Sequence, residues 1–233
     1  MQTSREEYFA RWSALHGGYD PASSALVGGW LSVVHACARP LAALGVAPAA
    51  VTGLGLVLSA AAAALARTGG TTLYLLVLLV VASGLVDSLD GAVAVLTGRT
   101  SAVGYVLDSV ADRCSDLLYL VVLWRVGAPA AVCVGGGVLM LFHEYLRARA
   151  VAAGMPEIGV VTVWERPTRV VVTAVALLGA AVFSGMQLWS GPGPQRWATA
   201  GAWAWLVLGL GGFGQLSVVV VRRLRGRPPG PSS

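Results

Sequence analysis

Five aspartates, Asp87, Asp90, Asp108, Asp112 and Asp116, interrupt the otherwise apolar stretch SGLVDSLDGAVAVLTGRTSAVGYVLDSVADRCSDLLYL at 83–120. At the centre of a membrane helix each carboxylate costs about 2.5–3.5 kcal/mol. Five in one stretch therefore call for a compensating charge. Asp87 and Asp90 are three residues apart and share one helical face, while Asp108 and Asp112, four apart, share another. Four facing carboxylates are hard oxygen donors suited to Mg²⁺ or Mn²⁺, with two ions as the fuller arrangement. Gly91 continues the first face and Gly104 precedes the second by one turn. With no side chain at either, a bulky ligand could approach the backbone. A cation or proton conduit is the rival use of such carboxylates. It would need polar residues continuing to the opposite membrane face, and the outer halves of these segments are nearly all apolar.

Membrane helices must position these residues. Of 233 residues, 56% are hydrophobic and only 12% charged, about half the charged fraction of a soluble domain. The apolar residues form long runs that reach the roughly 20 needed to cross about 30 Å of hydrocarbon. The expected fold is all-α, a polytopic membrane protein with six transmembrane helices near 47–66, 71–97, 101–126, 128–150, 168–189 and 197–221. Breaks fall at Gly69–Gly70, Gly98–Arg99, Gly127 before Pro129, Gly154 to Pro156, and SGPGP at 190–194. An interfacial helix, with a short span as the alternative, is expected within 24–44, which contains His35, Arg39 and Pro40. The organisation is thus a polar N-terminal segment with its interfacial helix (1–46), a six-helix transmembrane catalytic domain (47–221), and a basic, Pro/Gly-rich disordered tail (222–233). The short turn near Gly98 to Thr100 makes an antiparallel hairpin, so both aspartate pairs lie near one end of it and converge.

All sixteen basic residues are arginines, and the net charge is +5. They sit at helix ends, which suits anionic lipid headgroups and argues against a nucleic-acid partner. Six spans place both termini on one side, together with Arg99, Arg147, Arg149, Arg166, Arg169 and the tail arginines. The opposite connections carry only Arg67, Arg125 and Arg196. Both termini and the aspartate site are therefore expected on the cytoplasmic side of the cell membrane. Cys37, Cys114 and Cys133 lack metal-ligand spacing and are expected to be reduced and buried. The N-terminus, MQTSREEYFARW, is too charged for a secretory h-region, so no cleaved signal is expected.

The pattern Asp87-x-x-Asp90-Gly91-x-x-Ala94 … Gly104-x-x-x-Asp108-x-x-x-Asp112 resembles the signature of the CDP-alcohol phosphotransferases, with seven of eight fixed positions present. The segment VTGLGLVLS (51–59) is similar to the family's first span. Asp112-Arg113, EYLRARAVAAGM (144–155) and Glu165-Arg166-Pro167-Thr168-Arg169 are similar to the actinobacterial branch that makes phosphatidylinositol phosphate. The resemblance implies a CDP-alcohol donor, such as CDP-diacylglycerol, with its pyrophosphate on the metals. It makes Asp87, Asp90 and Asp108 chiefly metal ligands and Asp112 a ligand, the general base, or both. It also implies attack by an acceptor hydroxyl on the β-phosphorus, release of CMP, and a homodimer. Thr52, Asp87, Gly91, Ala94, Gly104 and Asp108 become the nucleotide-binding positions. The remaining position is Val95, where the family carries an arginine that would help neutralise the phosphates. Arg99, one turn on, is the expected replacement. Without one, the chain would be a weak or catalytically silent, lipid-binding relative.

Arg113, Arg149, Arg166 and Arg169 gather with Arg147 at the ends of the third to fifth spans, and together they suit bidentate capture of a phosphate. A phosphorylated acceptor follows: inositol phosphate by the local resemblance, with glycerol 3-phosphate satisfying the same cradle. His143 and Glu144 read as packing or supporting groups near a helix end, and the tryptophans at 164, 189, 197, 203 and 205 as interfacial anchors or lipid-facing packing.

Overall fold

The computed structural model describes residues 4–15, 18, 20–66, 70–155, 161–185 and 193–225. The expected disorder of the tail and the positions of His16, Arg67, Gly69, Trp189 and Arg227 lie outside these residues. Among the described residues every regular element is helical: α1 (Arg5–Leu15), a 3₁₀ turn (Pro21–Ser23), α2 (Ala25–Ala43), α3 (Pro48–Leu65), α4 (Thr72–Thr97), α5 (Ala102–Val126), α6 (Ala130–Ala152), α7 (Arg166–Gly185) and α8 (Gly193–Leu224).

Local chemistry sets the ends. Ser24 accepts from Val27 N–H at 3.4 Å to cap α2, and Asp20 accepts from Ala22 N–H at 2.9 Å to open the 3₁₀ turn. Proline occupies the first position of α3, where its missing N–H is harmless. At the end of α4, Gly98 adopts φ +66° and the Arg99 N–H bonds back to Ala94 O at 3.0 Å. This left-handed cap stops the helix and turns the chain into α5. The polar N-terminal segment contains a helix not anticipated from the sequence, α1: Ser4 Oγ accepts from Glu7 N–H at 3.1 Å, and Glu6 and Glu7 favour its N-terminal dipole.

Among the described residues, four helices, α3, α4, α7 and α8, are long and apolar enough to cross a membrane, yet no more than 33% of each one's most apolar window is buried. A helix apolar on all sides would be buried all round in a soluble protein; here Val57, Leu78, Val171 and Val207 face outward. The outward apolar surface marks a membrane protein.

The chain forms two compact units, Met1–Ser59 with Ala82–Ser115, and Ala60–Val81 with Asp116–Ser233, divided within α3, α4 and α5. The first has a core of Tyr8, Leu31, Val34, Ala38, Val51, Leu89, Ala92 and Val93. The second is organised around Tyr119, Leu123, Leu177, Trp164 and Trp205, whose two indoles meet edge-on at 5.0 Å. Gly212 of α8 lies so close to Trp164 that an added Cβ would collide with the tryptophan's own Cβ. The small face at Gly135–Gly137 is occupied within the chain, by Leu206, Trp205, Leu120 and Leu117. All three cysteines are free, as expected, but only Cys133 is buried; Cys37 is exposed and Cys114 half-buried. Leu31, Val34, His35 and Ala38 form the buried face of α2, and Cys37 is turned off that face.

Candidate active site

The site is built in the first unit, from α3, α4 and α5. Helices α3 and α4 run closely together at Gly55, where a Cβ would lie 3.6 Å from Ser83 O and 3.9 Å from Asp87 N. Three residues back along α3 and seven on from Ser83 along α4, Thr52 Oγ1 donates to Asp90 Oδ2 at 2.6 Å. The same hydroxyl lies 3.2 Å from Pro48 O, and Asp90 Oδ1 accepts from the Gly91 N–H. Asp90 is buried, so these bonds hold its carboxylate in one orientation.

Across the Gly98 turn, α5 contributes Asp108. Asp87, Asp90 and Asp108 each present a carboxylate oxygen within 4.8 Å of the others. Oxygens around one small divalent ion, each about 2.1 Å from it, stand roughly 3–4 Å apart. The cluster therefore fits a hard cation after small side-chain adjustments, and its two half-buried members leave a way in. Three like charges this close repel one another strongly unless a cation or proton joins them. Asp112 stands one turn further along α5, where its Oδ2 accepts from Arg113 Nη1 at 3.1 Å. Both side chains are part-buried, so the base candidate has a cation beside it.

A Cβ on Gly91 would meet nothing within 4 Å, and one on Gly104 would meet only Ser101 Oγ, at 3.0 Å. Ala94 is half-buried in the last turns of α4. Thr52, expected to touch nucleotide, is turned toward Asp90. Arg99 is exposed and donates to Gly45 O at 3.2 Å.

The remaining arginines lie in the second unit, where the structure shows a charge network that the sequence only hints at. Arg169 is fully buried, with Nη1 2.6 Å from Asp116 Oδ2 and Nη2 2.6 Å from Glu144 Oε1 and 3.0 Å from Trp164 O. Its guanidinium also lies over the Trp164 ring, at 5.7 Å. Arg147 bridges Glu165 at 2.7 Å and Glu144 at 3.8 Å. Glu165 in turn accepts from the Thr162 N–H and hydroxyl at 2.8 and 2.9 Å. Asp116, the one member of the five without a role in the sequence pattern, is thus the buried counter-ion of Arg169. The signal for this pairing is the aspartate's depth in an apolar helix, but its partner is 53 residues away. Arg149 is exposed at the end of α6, and Arg166 opens α7 half-buried.

Comparison with known proteins agrees with this arrangement. A family profile described as CDP-alcohol phosphatidyltransferase matches residues 45–210. An archaetidylinositol phosphate synthase of Aeropyrum pernix is 41% identical over 81 residues, 34% of this chain but only 40% of that protein's length. One from Pyrococcus horikoshii is 31% identical over 157 residues, 64% of this chain and 79% of the relative. A crystal structure of Mycobacterium tuberculosis phosphatidylinositol phosphate synthase with CDP-DAG bound matches with a TM-score of 0.62 and 28% identity, covering 82% of this chain and 94% of that one. The matched segment contains every aspartate of the cluster, and the chain belongs to the CDP-alcohol phosphatidyltransferase family.

Proposed function

We propose that this protein is a membrane-embedded transferase that joins inositol phosphate to the phosphatidyl group of CDP-diacylglycerol and releases CMP. The observation that carries this reading is the convergence of Asp87, Asp90 and Asp108 on one point, with Asp112 one turn beyond. A divalent ion, Mg²⁺ or Mn²⁺ and as a pair in the fuller arrangement, would be held by these four carboxylates and supplies electrostatic stabilisation of phosphate oxygens. Asp112 takes the proton as the acceptor oxygen bonds to phosphorus, and the bond from that phosphorus to the CMP oxygen breaks. Arg113, paired with Asp112, balances its charge and orients the carboxylate. Thr52 fixes Asp90, while Gly91, Ala94 and Gly104 provide the surface along which the nucleotide lies. Arg99 brings a guanidinium to the same helix end.

For the acceptor we assign Arg149 and Arg166 to the phosphate, with Arg169 anchoring Glu144 and the Trp164 carbonyl from behind. Arg169 would have to exchange a carboxylate to touch a phosphate itself. Arg113 joins this set on the sequence alone. The relatives' names differ in the lipid, archaetidyl or phosphatidyl, but all carry inositol phosphate. That common feature favours inositol phosphate over glycerol 3-phosphate as the acceptor.

We further read α5 and α6 as spans. Their 25 and 23 residues extend about 35 Å at 1.5 Å per residue, enough to cross the hydrocarbon layer. With α3, α4, α7 and α8 this makes six, with termini and site cytoplasmic by the arginine asymmetry. A homodimer rests on the family resemblance, since the Gly135–Gly137 face is already used within the chain.

The test is product identification. Purified protein in lipid nanodiscs, given CDP-diacylglycerol and either inositol phosphate, glycerol 3-phosphate, inositol or serine, should yield a new phospholipid with inositol phosphate alone. Product from glycerol 3-phosphate instead would refute the acceptor assignment.

A further inference from the structure

The N-terminal helix carries a side chain to the position where the aspartate motif lacks its arginine. Tyr8 of α1 is buried, stacks on His35 at 5.1 Å, and packs in one cluster with Leu89, Ala92 and Val93 of α4. These α4 residues belong to the turns that present Asp90 and Gly91. Docked in this way, α1 brings Arg11 to the end of α4, where Nη1 lies 3.4 Å from Val95 O. Its Nη2 pairs with Glu7 of the same helix at 2.6 Å, and the side chain is 46% exposed. Val95 lies one helical turn beyond Gly91 and two beyond Asp87, on one broad side of α4. On that side the space over Gly91 is open.

We propose that Arg11 is a donor-binding residue that supplies a guanidinium to the phosphates of the CDP-linked lipid, in place of the side chain that Val95 cannot provide. The assignment rests on the transferase reading above. Three features support it. The 3.4 Å contact to a carbonyl is long for a hydrogen bond, so it holds the guanidinium only loosely. The pair with Glu7 is solvent-exposed, and such pairs yield readily to a better partner. A phosphate offers planar guanidinium a charge-assisted, bidentate partner that a carbonyl does not. Arg99 sits at the same end of α4 but is turned to Gly45 O, toward the α2–α3 connection. Arg11 is thus the second guanidinium of this end, and it comes from a segment outside the motif.

The competing role is purely architectural: an arginine that caps the carbonyls ending α4. Substitutions separate the two. Steady-state kinetics would be measured on the full chain in nanodiscs with CDP-diacylglycerol as the varied substrate, for the wild type, Arg11→Ala, Arg11→Gln, and Arg11→Ala combined with Val95→Arg. Glutamine can still donate to Val95 O but carries no charge. Both single substitutions should raise the donor KM roughly tenfold or more and leave the acceptor KM within twofold. Val95→Arg should restore most of the loss, although an arginine at 95 cannot cap its own carbonyl. A wild-type donor KM in Arg11→Gln, or no recovery on adding Val95→Arg, would overturn the proposal. Wild-type turnover is the internal control: its absence would count against the transferase reading, whereas turnover with an unmoved KM in Arg11→Gln would count against Arg11 alone.

Discussion

Replacing Arg169 with methionine should be among the most damaging single changes outside the aspartate cluster. Arg169 and Asp116 are both fully buried and 2.6 Å apart, and Glu144, on the other side of the guanidinium, is 15% exposed and also at 2.6 Å. Methionine keeps much of the aliphatic volume but takes the cation from both carboxylates. Glu144 retains Arg147 at 3.8 Å, so the larger penalty falls on the more deeply buried Asp116. Removing one partner of a buried pair costs about 3–5 kcal/mol, which for a chain of this size corresponds to a melting shift of roughly 6–20 °C. Unfolding in detergent can be followed by tryptophan fluorescence, because Trp164 lies under the guanidinium and against Trp205. The double variant, with Asp116→Leu added, should recover part of the loss, since the carboxylate that suffers most is then gone as well. A loss below about 1 kcal/mol in Arg169→Met would be incompatible with a buried guanidinium shared by two carboxylates, and so would a double variant less stable than the single one.

Three more expectations follow from the same geometry. Asp108→Asn should raise the melting temperature of metal-free protein, because like charges within 4.8 Å repel by roughly 3.5 kcal/mol or more per pair at an effective dielectric of about 20, before screening; it should also abolish the melting shift produced by Mg²⁺ or Mn²⁺, read by thermal denaturation with and without the ion. Burial pushes the Tyr8 phenol up to about 12, so its contribution to docking α1 is intact below pH 10 and lost as pH rises toward 12; comparing alkaline absorbance titrations of the wild type and Tyr8→Phe should show one late-titrating tyrosine missing from the variant. Gly212→Ala should destabilise the second unit by about 1–3 kcal/mol because the new methyl meets Trp164, and detergent unfolding that matched the wild type would contradict that packing.

The aspartate spacing and the Gly98 turn are enough to foresee a converging hairpin, because i,i+3 and i,i+4 pairs and a left-handed glycine cap are local features. The long apolar runs place α3 to α8 within a few residues of where they lie. Relationships between distant residues are not legible in the same way. Thr52 reads as a ligand contact, but only the close approach of α3 to α4 at Gly55 shows that its hydroxyl faces Asp90. Arg169 reads as one member of a phosphate cradle, and its spacing gives no sign of Asp116 and Glu144 on two other helices. The helix α1 is hard to recognise because its few aromatic residues stand among Arg5, Glu6, Glu7 and Arg11, and its place is set by buried Tyr8 with Phe9 and Trp12 packed against the same core. Cys37 is expected inside because cysteine is usually buried, but α2 turns it outward.

Transfer from a CDP-linked lipid by the carboxylates of α4 and α5 has a direct chemical readout. It is tested most directly by CMP release from CDP-diacylglycerol by purified protein, with inositol phosphate, in the presence of Mg²⁺ or Mn²⁺ and after chelation, alongside Asp112→Asn. Release should require both acceptor and ion and fall at least a hundredfold in the variant, while the variant keeps its melting temperature. Release that persists after chelation, or an Asp112→Asn protein with wild-type turnover, would contradict transfer by these carboxylates.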